Sequence, residues 1–135
     1  MNNLRFPPKT DSAALLLRLF LGGMFLLHGI GKVFIVGLDM VVIGFLERGF
    51  PAWTAYAATL IELVGGIPLL LGIYTRISCL LLLPVAFGIF YYHLPYGWVF
   101  HNLGGGYEYP QLIIIAILAL FWIDGGKYAL QTKNQ

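Results

Sequence analysis

Charged side chains are scarce in this sequence: 10% of its 135 residues are Asp, Glu, Lys or Arg, whereas 59% are hydrophobic. A soluble domain usually carries about 25% charged residues. A water-facing surface cannot accommodate so many apolar side chains, but a lipid bilayer can. The net charge of +2 is small and its basic residues are scattered, so we expect no nucleic-acid partner. The length favours one domain.

Cysteine and histidine are also rare. The single cysteine, Cys79, excludes an internal disulfide and a paired-cysteine redox motif, so we interpret it as a small apolar residue inside a helix. A haem held by His28 and His93 is disfavoured, because no second histidine pair lies at a matching depth. A transition-metal site formed by His93, His101 and Glu108 is a further alternative that we do not favour.

Long apolar runs are what the sequence has instead. A transmembrane helix needs about 20 mostly apolar residues to cross about 30 Å of hydrocarbon. Four runs predict an all-α, polytopic four-helix bundle within a single domain, with spans at 13–34, 52–73, 76–93 and 109–123. The first run is too long for the apolar core of a signal peptide and lacks a following cleavage site, so we expect it to be retained.

The connections between spans carry their own signals. Residues 37–49 hold apolar side chains at helical spacing, which predicts a short amphipathic helix on the membrane surface. The members of this pattern are Leu38, Val41, Val42, Phe45 and Leu46. Residues 94–108 are rich in glycine and aromatic side chains. Pro84 predicts a kink in span three, and Pro110 lies in the first turn of span four.

Basic residues indicate the orientation of the chain. Five of them fall on one side of a four-span arrangement: Arg5, Lys9, Arg76, Lys127 and Lys133. Lys32 and Arg48 fall near the other side. The positive-inside rule therefore predicts that both termini lie in the cytoplasm. Tyrosine and tryptophan side chains cluster at the opposite boundary, as interfacial aromatic residues do.

Ionisable residues inside the spans are the informative positions, because each costs at least about 2.5–3.5 kcal/mol at the centre of a membrane. In span one, Arg18, Phe25 and Lys32 recur at intervals of seven. Gly22 and His28 are assigned to the same stripe. We therefore expect this stripe to face protein and not lipid.

Glu62 lies near the middle of span two, on a face that suits close helix packing. The small residues of that face are Ala55, Thr59 and Gly66. A rise of about 1.5 Å per residue places Glu62 near the midplane, with His28 and Lys32 further outward. The same estimate places Arg18 toward the inner surface. Glu62 is therefore expected to pair with one of these cations and not with all of them.

His28, Glu62 and Lys32 are our candidate catalytic residues, because His28 or Glu62 could move protons and Lys32 could stabilise an anion. The candidate binding residues surround an outward-opening polar funnel with Glu62 at its base: Arg18, His93, His101, Asn102 and Glu108. We predict no metal ligands. Structural roles stay open: the two span-one cations could extend to the nearer surface, and the carboxyl could form an ion pair or remain protonated.

Four segments together resemble the DoxX family of small four-span bacterial membrane proteins, over residues 14–128. These segments are residues 17–34 (LRLFLGGMFLLHGIGKVF), residues 61–76 (IELVGGIPLLLGIYTR), the loop with Asn102 and Gly104 to Gly106, and residues 123–126. Each glycine-rich motif is weak alone, and their order together with the Gly-x-x-Thr-Arg turn makes the match specific. The chain departs from many relatives at Asp124-Gly-Gly-Lys, where they carry a serine-rich ending.

The resemblance implies a protein of the bacterial inner membrane, associated with thiosulfate:quinone oxidoreductase or with membrane oxidoreductase complexes that handle oxidative stress. We expect quinone as a cofactor, with no cofactor bound covalently. The expected partners are the lipid bilayer, a soluble or membrane oxidoreductase subunit, and a second copy of the chain. The sequence has neither a flavin motif nor a cysteine pair, so electrons would come from another subunit or from direct contact between quinone and substrate. A non-enzymatic membrane anchor or assembly partner, and a small-solute or proton transporter, remain alternatives, and enzymatic activity of the chain itself is left open.

Overall fold

The chain forms a bundle of four long apolar helices, with one short helix between the first and the second. The structure is a computed structural model and describes residues 9–131, in which the regular secondary structure is entirely helical. Its α-helices are α1 (Lys9–Gly31), α2 (Leu38–Glu47), α3 (Ala52–Leu71), α4 (Thr75–His93) and α5 (Glu108–Ile123). A π-helical turn, Lys32–Val36, continues α1, and a 3-10 turn, Leu94–Tyr96, follows α4.

The four long helices close into a ring. α1 packs against α3 and α5, and α4 packs against α3 and α5. We call the end formed by residues 9–12, 72–76 and 124–131 the terminal end, and the end formed by residues 32–51 and 94–107 the loop end. At the terminal end the Lys127 N–H donates to Asp11 Oδ1 at 2.9 Å, and the Leu130 N–H donates to the Leu71 carbonyl at 3.1 Å. The start and the end of the described chain therefore lie side by side.

The predicted spans agree with the observed helices to within a few residues. Thr10–Val36, Ala52–Leu71 and Thr75–Tyr96 are long and apolar enough to cross a membrane. α5 has 16 residues, which corresponds to about 24 Å, so it is the shortest of the four long helices, as predicted. Pro84 lies inside α4 without ending it, and a kink there stays a prediction.

The short helix predicted between spans one and two is confirmed as α2. Gly37 permits the sharp entry into it, because its φ of +86° is a conformation that glycine adopts without strain. The predicted apolar face is only partly covered by protein, since Val41 is buried whereas Leu46 is exposed. The position of α2 on a membrane surface stays a prediction.

An apolar core fills the ring, and apolar side chains also cover its outside. The fully buried core residues include Leu21, Phe25, Leu69, Leu82, Ile117 and Leu120. Cys79 is buried in the same core, as its interpretation as an apolar residue requires. Large side chains such as Phe34, Leu60 and Trp122 are exposed on the outer surface. Because a soluble protein rarely exposes so continuous an apolar surface, this outer face is suited to lipid.

Glycine brings the backbones of α1 and α3 into direct contact. A Cβ added to Gly22 would lie 2.6 Å from the Leu70 nitrogen, and one added to Gly66 would lie 2.9 Å from the Leu26 nitrogen. Small residues allow transmembrane helices to approach this closely, because association in lipid depends on packing and not on the exclusion of water. The face predicted around Glu62 is confirmed, since Ala55, Thr59, Glu62 and Gly66 are all buried.

We predict that Gly22→Ala destabilises the bundle and that its neighbour Gly23→Ala does not. The methyl group of an alanine at position 22 would collide with the backbone of α3, which cannot move aside as a flexible side chain can. This overpacking costs about 1–3 kcal/mol. A Cβ at Gly23 meets nothing within 4 Å. Thermal unfolding of both variants in the same detergent measures the difference, and equal midpoints would show that the close contact is not needed.

Candidate functional site

An ion pair joins the end of α1 to the middle of α3. Lys32 Nζ lies 2.7 Å from Glu62 Oε1, with 20% of the lysine side chain and 2% of the glutamate side chain exposed. The expectation that Glu62 pairs with one cation is thereby confirmed. Lys32 does not extend to the surface as a solvated charge, because its ammonium group is committed to this carboxylate.

The close packing of α1 and α3 positions both partners. One turn before Lys32, Gly29 lies against Leu63 and Glu62, and a Cβ there would be 2.8 Å from Leu63 Cδ2 and 3.3 Å from Glu62 Cβ. Lys32 itself begins the π-helical turn, a deviation from α-helix that often marks functional sites. From α2, the Phe45 ring centroid lies 5.7 Å from Lys32 Nζ, within range of a cation–π contact.

The second carboxylate oxygen of Glu62 is left without a partner. Glu62 Oε2 is buried and accepts no hydrogen bond from the described residues. Thr59 is near in sequence, but its hydroxyl donates to the Ala55 carbonyl at 2.8 Å. A buried acceptor without a donor costs about 1–3 kcal/mol, and more when it is charged. This oxygen can therefore bind a proton or a donor group from a ligand.

His28 is not on the buried stripe with Arg18, and that expectation is wrong. Its side chain is exposed on the surface of the bundle, whereas Arg18, Gly22 and Phe25 are buried. A turn of about 100° per residue places position 28 about 80° away from position 18, at the edge of the stripe. His28 Nδ1 lies 2.7 Å from the Met24 carbonyl oxygen. Because that oxygen only accepts, Nδ1 carries the proton and Nε2 is the nitrogen that can accept one.

Arg18 is enclosed near the terminal end, so the alternative that it reaches the surface is wrong. Its side chain is 1% exposed. Nη1 donates to the Leu70 carbonyl at 3.4 Å, whereas Nε and Nη2 are buried with no hydrogen-bond partner among the described residues. Gly72 makes room for the guanidinium, because an added Cβ would overlap Nη1. Arg18 therefore lies apart from the Lys32–Glu62 pair.

The loop candidates interact with the loop itself. His93 Nδ1 lies 2.9 Å from the Gly105 carbonyl oxygen, Glu108 Oε1 accepts from the Phe100 N–H at 3.0 Å, and Asn102 Nδ2 donates to the Tyr96 carbonyl at 2.7 Å. His101 is exposed, with its ring centroid 4.0 Å from that of Phe100. These contacts order residues 94–108, and a binding role for the four side chains stays a prediction.

Within residues 9–131, no three His, Cys, Asp or Glu side chains come together as a metal site would require.

The other ion pair of residues 9–131 joins Arg76 Nε to Asp124 Oδ2 at 3.4 Å, at the terminal end. It is far more exposed than the first, with 47% of Arg76 and 30% of Asp124 accessible. Of the five basic residues used for orientation, Lys9, Arg76 and Lys127 lie at the terminal end, while Arg5 and Lys133 lie outside the described residues.

A cavity of about 580 Å³ at the loop end was not anticipated from the sequence. It is lined by Glu47, Arg48, Phe50, Tyr91, Tyr92, Leu94, Pro95 and Tyr96. The tyrosines were interpreted as interfacial residues and Arg48 as an orientation signal. The pocket is formed by the turn after α2 and the end of α4, which are about 40 residues apart, so sequence spacing does not reveal it.

Comparison with known proteins places the chain among membrane proteins of one family. The DoxX family profile matches residues 13–102, which hold most of α1 and all of α2, α3 and α4, and leaves α5 and the Asp124 ending outside the match. "Putative oxidoreductase CatD" of Bacillus subtilis (strain 168) is 36% identical over 67 residues, or 50% of this chain and 48% of that protein. The match thus spans about half the length of this relative. No solved structure matches significantly.

We predict that Lys32→Met destabilises the protein strongly and that adding Glu62→Met restores stability. The single change leaves a buried carboxylate unpaired, at a cost of about 3–5 kcal/mol, whereas replacing both partners with apolar side chains is close to neutral. Arg76→Gln is the matched control, because loss of an exposed pair costs less than about 1 kcal/mol. Unfolding in detergent measures the stability of all three variants. A double variant that is no more stable than Lys32→Met would contradict an ion pair between Lys32 and Glu62.

We also predict that Gly72→Ala is more destabilising than Gly49→Ala. Both glycines have positive φ, +73° and +81°, so both substitutions carry the backbone strain. The added methyl at Gly72 meets the Arg18 guanidinium and lies 2.7 Å from Ala129 Cα, whereas the one at Gly49 meets open space. Overpacking should add about 1–3 kcal/mol at Gly72. Equal losses of thermal stability would mean that Arg18 moves aside freely.

Proposed function

The chain belongs to the DoxX family, and from that premise we propose that it is the membrane subunit of a quinone-linked oxidoreduction, with the Lys32–Glu62 pair in contact with the quinone. The observation that carries this proposal is a buried ion pair with one unpartnered carboxylate oxygen inside an apolar bundle. Ionisable groups at such a position are costly, and they commonly serve proton or substrate pathways. The relative named as an oxidoreductase supports the same class of function.

The residues present fit a quinone head. A quinone has a flat apolar ring and two carbonyl acceptors, and when bound it supplies two-electron, two-proton redox chemistry. Lys32 offers a partly accessible ammonium donor, Phe45 offers an aromatic surface 5.7 Å from that ammonium, and Glu62 Oε2 offers a site for a proton. A hydrogen-bond donor, an aromatic surface and a proton site are therefore all present for the quinone head.

Lys32 and Glu62 have different roles in this proposal. The Lys32 ammonium stabilises negative charge that develops on the bound head, an effect that is strong where water is excluded. Glu62 holds and releases a proton at Oε2. His28, four residues before Lys32 and exposed, exchanges protons at Nε2, since Nδ1 is engaged by Met24. Arg18 takes no part, because it lies near the terminal end, at Leu70 and Gly72, apart from this pair.

The electrons must come from another protein or from the substrate directly. Cys79, the single cysteine, is buried in the core, and the sequence contains no flavin motif. The proposal therefore includes an oxidoreductase partner subunit. It also places the protein in a bacterial inner membrane with the terminal end toward the cytoplasm, because Arg76 and Lys127 lie at that end.

A binding assay with a short-chain quinone analogue tests the proposal. The full chain is reconstituted in nanodiscs and compared with the Lys32→Met/Glu62→Met double variant, which is expected to fold. We expect affinity to fall about 10- to 100-fold, the effect of losing a hydrogen bond to a charged group. Arg76→Gln, which removes the other ion pair, should bind like the wild type.

Two results would overturn this function. One is a folded double variant that binds the analogue as tightly as the wild type, and the other is a folded wild type that does not bind it. If that non-binding wild type co-purifies with a stoichiometric oxidoreductase, the chain is an assembly partner and not a quinone-binding subunit.

A further inference from the structure

The cavity at the loop end has a chemistry that the proposed redox site does not use. Four of its eight lining residues are aromatic: Phe50, Tyr91, Tyr92 and Tyr96. Their rings form two contacting pairs in the cavity wall, with centroids 6.2 Å apart for Phe50 and Tyr91 and 5.6 Å apart for Tyr92 and Tyr96. Its volume of about 580 Å³ lies within the range of about 300–1,000 Å³ that is usual for small-ligand sites.

Arg48 is held in place within this wall before any ligand arrives. Its Nη1 donates to the Gly44 carbonyl at 2.6 Å, and its guanidinium carbon lies 4.9 Å from the Tyr92 ring centroid. A guanidinium carries five N–H donors, so one such bond leaves further donors to face a ligand. A fixed guanidinium loses little conformational freedom on binding, which favours bidentate recognition of phosphate.

Glu47 places the opposite charge next to Arg48. Both side chains are exposed and both line the cavity. A purely anionic ligand would meet the Glu47 carboxylate, and a purely cationic one would meet the Arg48 guanidinium. A ligand that carries both charges satisfies both residues, and its cation also gains from the electron-rich faces of the tyrosine rings.

The position of the cavity indicates that its ligand has an apolar part as well as charged groups. Its wall includes Tyr91 and Tyr92 in the last turn of α4, and Leu94 and Pro95 just beyond, at the end of the membrane-length segment Thr75–Tyr96. The boundary between apolar core and water lies at such an end, where amphipathic aromatic residues collect. A molecule with a charged head in the cavity could lay its acyl chains along the exposed apolar surface of α4.

We propose that this cavity binds the headgroup of a zwitterionic phospholipid, with the phosphate at Arg48 and the ammonium at Glu47 and the tyrosine rings. The lipid is a bound component of the protein at the loop end. It is separate from the Lys32–Glu62 pair, because no residue of that pair lines the cavity.

Lipid titration of the purified full chain, followed by native mass spectrometry, tests this proposal. The probes are phosphatidylethanolamine, which is zwitterionic, and phosphatidylglycerol, which is anionic. The wild type should retain phosphatidylethanolamine about tenfold more strongly. Arg48→Gln should weaken retention of both lipids by about tenfold, because each loses its phosphate contact. Glu47→Gln should remove the preference between them.

Asp39→Asn is the matched control, since Asp39 is an exposed carboxylate of the same helix that does not line the cavity. It should behave like the wild type. Equal retention of the two lipids by the wild type, or an unchanged preference in Glu47→Gln, would overturn the proposal. So would tight binding of soluble glycerophosphoethanolamine, because the site would then take a free metabolite. Quinone-analogue binding should be unchanged in Glu47→Gln, which separates this proposal from the redox function.

Discussion

The contact between the backbones of α1 and α3 sets the geometry of the rest of the bundle. Gly22 and Gly66 lie against the backbone of the facing helix, and Gly29 makes room for the Leu63 side chain, so the helices lie closer than larger residues would allow. At this separation a lysine at the end of α1 reaches a carboxylate in the middle of α3. The ion pair is thus a product of helix packing, and α2 follows from the same arrangement because its Phe45 covers the lysine.

The bundle places its two span-one cations, Arg18 and Lys32, in different surroundings. Lys32 has a carboxylate partner and partial access to the surface, which are properties of a group that can exchange protons or contact a substrate. Arg18 has a weak carbonyl contact and no route outward, which are properties of a group fixed in a structure. Both residues occupy the same stripe of α1. Their difference comes from what α3 and residues 124–131 place opposite each of them.

The sequence predicts the fold well, because each long helix comes from one continuous stretch of mostly apolar residues. The four long apolar helices, the short helix α2 and the small-residue face around Glu62 all follow from composition and periodicity. The sites follow less well. The sequence predicts His28 on the buried stripe, although it lies outside the seven-residue series and about 80° around the helix from Arg18, where the bundle leaves it exposed. The cavity at Arg48 joins segments about 40 residues apart, and no periodicity connects Glu47 to Tyr91.

The enclosure of Arg18 also has a consequence for how the protein is made. The guanidinium lies against Gly72, whose surroundings are completed by Ala129. During synthesis Arg18 leaves the ribosome more than 100 residues before position 129 does. The enclosure of the Arg18 guanidinium is therefore incomplete until Ala129 has been translated. Until then the first helix carries a charge that is costly in lipid, so the segment around Ala129 completes the enclosure of a cation on a helix made long before it.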